Sequence, residues 1–184
     1  FGEITGWQAS EDNEQIDLHN DGRGGVVASD GNNWLDLEGN GDNLIISQTL
    51  DGLEDGNTYR LSFDVSDSID SPWFGVDENE INVMWNGSLV SATIDPLNAG
   101  SSAQWVSYSF DVQAGSGANT LTFEDLGGFN NVGASVDNVE LYAVSDGTMG
   151  GVIGTTGSGG INTFDGGEGI DIYQGSSIED VDVD

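Results

Sequence analysis

Apolar and polar residues alternate with a period of two along most of this chain, which is the signature of half-buried β-strands. In residues 57–67, Tyr59, Leu61, Phe63 and Val65 fall on one face, and Arg60, Ser62, Asp64 and Ser66 on the other. In residues 104–113, Val106, Tyr108, Phe110 and Val112 alternate with Trp105, Ser107, Ser109 and Asp111. Ile81, Val83 and Trp85 repeat the pattern in residues 80–86, as do Leu121 with Phe123 and Val139 with Leu141. Further strands are expected at 14–19, 33–38, 43–50 and 89–95. Asn86-Gly87 carries the two-residue hairpin signature, and Asp21-Gly22, Asp30-Gly31, Asp51-Gly52 and Asp55-Gly56 are further turn dipeptides. No segment sustains a helical apolar stripe. Roughly eight to ten short strands at this spacing predict an all-β, antiparallel two-sheet β-sandwich.

Composition changes after Val144. Residues 145–160 are rich in Gly, Ser and Thr and read as a linker. Gly166-Gly167-Glu168-Gly169-Ile170-Asp171-Ile172-Tyr173 then fits the calcium-binding nonapeptide pattern G-G-x-G-x-D-x-U-x. Asp171 takes the ion-facing position. Asn162-Thr163-Phe164 before it looks like a degraded preceding turn, with Asn in the Asp position. The expected organisation is a sandwich over 1–144 and a Gly/Asp-rich, RTX-like extension over 145–184.

Charge sharpens the picture. The chain of 184 residues has 33 acidic residues, two arginines, no lysine and no cysteine, for a formal net charge of −31. Five Trp, seven Phe and four Tyr supply a core and argue against an acidic disordered chain. Self-repulsion on this scale opposes compaction unless cations come from solution. Clustered carboxylates and carbonyl oxygens suit Ca²⁺, and several ions, roughly three to six, are expected. Weak calcium sites fill outside the cell, so an extracellular setting is expected. The sequence begins at Phe1 and is read as a piece of a longer exported protein. So acidic a surface excludes nucleic acid as a partner, and no apolar run is long enough to insert in a membrane.

Blocks in order along residues 6–141 resemble a galactose-binding-like jelly-roll module of large secreted bacterial adhesins of the RTX type. They are Gly6-Trp7; Asp30-Gly31-Asn32-Asn33-Trp34-Leu35-Asp36-Leu37; Ser47-Gln48-Thr49-Leu50 with Gly56-Asn57-Thr58-Tyr59-Arg60-Leu61-Ser62-Phe63-Asp64; Val83-Met84-Trp85-Asn86-Gly87; and Val136-Asp137-Asn138-Val139-Glu140-Leu141. The resemblance implies a non-catalytic adhesion module, monomeric within its longer chain. Its partner would be a cell-surface glycan, or a peptide or protein terminus on another cell. It also implies a structural Ca²⁺ between the first and last strands, with Glu3 and Asp137 at the matching positions.

Three constellations are candidates for the site. Asp30, Asp36, Glu38 and Asp42 surround one strand, and Asp36 and Glu38 share a parity. The expected metal ligands are Asp30, Asp36 and Glu38 in this cluster and Asp165 and Asp171 in the extension, with Glu3 and Asp137 added by the resemblance. Residues 67–80 combine Asp67 and Asp77 with Trp73 and Phe74, two aromatics that either grip a ligand or cap the sandwich. Phe129 and Asn130 lie at the tip of residues 125–137, as a ligand contact or as a loop packed on its own Phe. Arg23, in a flexible loop, pairs with a ligand carboxylate or with an internal acid; Arg60, on a strand's outward face, pairs with neighbouring acids. A single His and no Cys leave a nucleophilic enzyme little to work with, and chance pairs of acids make a glycosidase reading uninformative. A calcium-stiffened spacer is the remaining alternative to a binding module.

Overall fold

A computed structural model describes residues 6–10, 16–23, 26–39, 42–67, 79–96, 103–127, 133–144 and 173–176. Within them the strands are β1 (Trp7–Ala9), β2 (Asp17–Asn20), β3 (Asn33–Asp36), β4 (Glu38–Gly39), β5 (Asp42–Asn43), β6 (Ile45–Leu50), β7 (Thr58–Ser66), β8 (Ile81–Trp85), β9 (Ser88–Leu89), β10 (Val106–Gln113), β11 (Asn119–Asp125), β12 (Ser135–Ala143) and β13 (Tyr173–Ser176). One sheet runs β1-β6-β11-β8-β9 and the other β10-β7-β12-β3-β2, all antiparallel; β13 joins β12 in parallel, and β4 pairs with β5. The two large sheets face each other as a β-sandwich, as the alternation predicts. Among the described residues no helix is long and apolar enough to cross a membrane.

The inward rows fill the space between the sheets. Leu61, Phe63 and Val65 of β7 and Leu35 of β3 meet Ile46, Val83, Leu121 and Phe123 from the other sheet, all at 2% exposure or less. Phe63 and Phe123 meet edge to face across the sandwich at 5.2 Å, a geometry aromatic quadrupoles favour. The expected Asn86-Gly87 hairpin forms between Trp85 and Ser88, with both turn residues at positive φ (50° and 74°). That is the backbone a two-residue turn requires between twisted strands.

The observed strands depart from the sequence expectation in several places. The strand expected over 33–38 stops at Asp36, because the Leu37 N–H donates to Ala134 and its carbonyl accepts from Leu44. The strand expected over 89–95 keeps only Ser88–Leu89 and one bridge, Ile81 to Ile94. At a sheet edge a short strand presents little unpaired backbone. Within the region expected to be an appendage, Tyr173–Ser176 pairs with Glu140–Ala143 of the sandwich.

The register puts two sets of connections at opposite ends. One end holds the turns 51–57, 86–87 and 114–118. The other collects the strand ends at Asp36, Ser66 and Asp125, and the starts of β6, β8 and β12.

Candidate functional site

The two ends of β11 show how differently the sandwich is finished. Asn119, Leu121, Phe123 and Asp125 share the inward parity, and all four are buried. Asn119 is fully partnered: its Oδ1 accepts from Gly115 N and Asn86 Nδ2, and its Nδ2 donates to Gly117 O. Asp125 is not. It is 2% exposed, its Oδ1 accepts only a long bond from Gly127 N (3.4 Å), and its Oδ2 is buried without a donor. Burial, together with the charges of Glu38 and Asp36, pushes the Asp125 carboxyl up to about 7, against the opposing pull of the Gly127 and Leu126 amides. Buried carboxylates without a cation are costly, and protonation is the usual escape.

Its neighbours come from the chain between β3 and β6. Asp36 Oδ1 accepts from the N–H groups of Glu38 (2.9 Å) and Gly133 (3.0 Å). Its Oδ2 lies 3.6 Å from His19 Nε2, which is also 3.4 Å from Asp17 Oδ2. Burial pushes Asp36 upward as well, opposed by His19 and these amides. Gly133 sits so close that a Cβ would stand 2.4 Å from Glu38 N; only glycine lets the two backbones approach this way. Glu38, 1% exposed, follows the break at Leu37 and pairs with Asn43 across the β4–β5 ladder. The Asn43 side-chain N–H donates to the carbonyls of Asp125 (3.3 Å) and Gly127 (2.9 Å). Its Oδ1 is buried without a donor.

At the same end, Asp67 is 3% exposed and accepts from Asn79 Nδ2 at 2.8 Å. Gly127 rests against Asn79, where a Cβ would meet Asn79 Oδ1 at 2.6 Å. Four acids (Asp36, Glu38, Asp67 and Asp125) are thus buried at one end of the sandwich. Neither arginine is there. Arg60 forms a bidentate pair with Asp111 (2.8 and 3.1 Å), as expected for a strand's outward face, and Arg23 is exposed on residues 21–32.

Asp137 is set apart from this end. It lies at an irregularity of β12, where Asn138 has φ 50°. Its Oδ2 accepts from Ser29 N, Ser29 Oγ and Asp30 N, and its Oδ1 from Asn138 N. Three donors on Oδ2, all from Ser29 and Asp30, let Asp137 pin residues 26–32 to the sheet. Asp30 contributes its backbone to the pin, and the residue itself is exposed.

Of the residues singled out from sequence, Asp36, Glu38 and Asp67 meet at the acidic end, while Asp30, Asp137 and Arg23 lie elsewhere. Glu3, Trp73, Phe74, Asp77, Phe129, Asn130, Asp165 and Asp171 lie outside the described residues. Among the described residues no group of three or more His, Cys, Asp or Glu is placed to hold a metal ion. Sequence reasoning passed over Asp125 and Asn43. The signal for Asp125 was present: an acid at the inward parity of a strand, two positions after Phe123.

No family model and no curated protein matches the chain. Solved structures share its fold. The cleaved adhesin domain of Lys-gingipain from Porphyromonas gingivalis matches with a TM-score of 0.52 at 15% identity, over 78% of this chain and 94% of that one. The CBM22 xylan-binding domain from Paenibacillus barcinonensis matches at 0.51 and 16%, over 79% and 90%. TmCBM61, solved in complex with β-1,4-galactotriose, matches at 0.50 and 13%, over 78% and 92%. The chain is therefore a jelly-roll β-sandwich of the kind that carbohydrate-binding modules use, and at these identities the likeness is one of fold.

Proposed function

We propose that this chain is a non-catalytic module of a secreted RTX-type adhesin, which binds an extracellular glycan through the loops at its acidic end, with calcium neutralising that end. One observation carries the reading. Leu37 to Gly39, Asn43, Asp67, Asn79, Asp125 to Gly127 and Gly133 meet at the end where four carboxylates are buried, in a chain with no lysine and with both arginines elsewhere. Such an end is incomplete without a cation, and hard oxygen donors favour Ca²⁺. A Ca²⁺ with open positions accepts vicinal hydroxyls, and aromatic rings beside it give a sugar face something to lie on. Trp73, Phe74 and Phe129 belong to the connecting segments and would serve that purpose. The RTX setting rests on Asp165, Asp171 and their glycines in the sequence.

The solved relatives of this sandwich include a xylan-binding domain and a galactotriose complex, which makes a glycan the first ligand class to test. A glycan array probed with the isolated chain in millimolar calcium, and again in chelator, decides the matter. Binding in calcium that chelator abolishes is the expected result. No glycan bound while a library of peptide C-termini captures the chain would replace the ligand class. Turnover of a polysaccharide would overturn the non-catalytic reading.

A further inference from the structure

We propose that Glu38, Asn43 and Asp125 form a buried site for one hard divalent cation, Ca²⁺ by preference, at the acidic end of the sandwich. This deepens the calcium part of the reading above and does not depend on the glycan.

Two oxygens carry the argument. Asp125 Oδ2 is buried with no donor, on a residue that is 2% exposed. Asn43 Oδ1 is likewise buried with no donor. The orientation of the Asn43 amide follows from its partners: the nitrogen faces the carbonyls of Asp125 and Gly127, and a flip would set oxygen against both. The same two bonds tie the Asn43 amide to the segment that begins with Asp125. Glu38 stands opposite Asn43 in the ladder, and its charge acts on Asp125. The three side chains offer carboxylate and amide oxygens and no nitrogen or sulfur ligand. That donor set suits Ca²⁺ and disfavours Zn²⁺. Mg²⁺ keeps more of its water and fits a buried pocket less well.

Two carboxylates and an amide are consistent with the absence of any three-acid or His-containing group among the described residues. Asp36 has a second part at this end. It spends Oδ1 on the Glu38 and Gly133 amides, and so holds Glu38 in place as a positioning residue. The strand row explains why the site survives in a hydrophobic setting. Asn119 closes the far end of β11 with its own hydrogen bonds, whereas Asp125 closes the near end only when a cation completes it.

The test is calcium titration of the full chain by calorimetry after chelator treatment, on wild type, Asp125→Asn and Glu38→Gln, with folding checked by circular dichroism. Each variant is expected to lose one ion from the stoichiometry, or to bind it at least about tenfold more weakly. Terbium luminescence on the wild type provides a reading that needs no variant. A buried site gives an ion with far fewer bound waters than the free aqua ion. Wild-type stoichiometry in both variants, or only fully hydrated terbium, would overturn the site. Glycan binding that persists in variants which have lost the ion would refute the functional reading instead.

Discussion

Asp125 concentrates the tension of the whole chain into one carboxyl. In the metal-free protein its pKa stands at about 7 against an ordinary 3.8. Because the folded value is the higher one, the stability carried by the neutral form is complete below about 3.8 and is lost as pH rises through 7. A rise of about three units corresponds to at most about 4 kcal/mol. The melting temperature of chelator-treated protein should therefore fall from about pH 4 to about pH 7 and level off above. Asp125→Asn should flatten that fall, and saturating calcium should remove it. A wild-type melting temperature that is flat in chelator over this range would show that Asp125 is not buried as a like-charged neighbour of Glu38. Asn119, at the same parity on the same strand, supplies the contrast. It carries no charge and has a partner for each polar atom, so it needs nothing from solution.

Strands and connections place these side chains, and two contacts between elements are decisive. Gly133 lies against the backbone of Leu37 and Glu38 with no room for a Cβ. Gly133→Ala should cost about 3 kcal/mol, a typical upper value for overpacking, measured by urea unfolding. It should also weaken calcium binding, because Glu38 shifts. Asp137 clasps Ser29 and Asp30 to β12. Asp137→Ala leaves those amides without an acceptor, at a cost of about 3 kcal/mol. Faster hydrogen exchange confined to residues 26–32 would be its signature, with calcium stoichiometry at the acidic end preserved. Exchange unchanged there would mean that the clasp does not hold the loop. Much of this architecture could be read from residues 57–67 and 104–113, where one buried face imposes a period of two. The end of β3 could not. Leu37 continues the alternation, yet its N–H is claimed by Ala134, almost a hundred positions away in sequence. Nor could β1, since the three residues Trp7–Ala9 are too few to show a period. The acids Asp36, Glu38 and Asp67 were legible as candidates by type. That Asp125 and Asn43 each keep an oxygen without a donor depends on a pairing across 82 positions, which no local pattern encodes.

One end of the sandwich has its buried Asn119 fully hydrogen-bonded, and the other buries four carboxylates. The formal charge of −31 makes that asymmetry costly in chelator. Calcium at about 100 times its dissociation constant adds about 2.7 kcal/mol for each site that the unfolded chain lacks. For a domain of this size that is about 5–10 °C in melting temperature per site. A melting temperature identical in calcium and in chelator would remove the cation from the picture. The central claim is that the acidic end is the binding end. An amide NMR titration at saturating calcium tests it most directly, using whichever glycan the array selects. Shifts should concentrate at Glu38, Asn43, Asp67, Asn79 and Asp125 to Gly127. Shifts confined to the opposite turns, 51–57, 86–87 and 114–118, would contradict it.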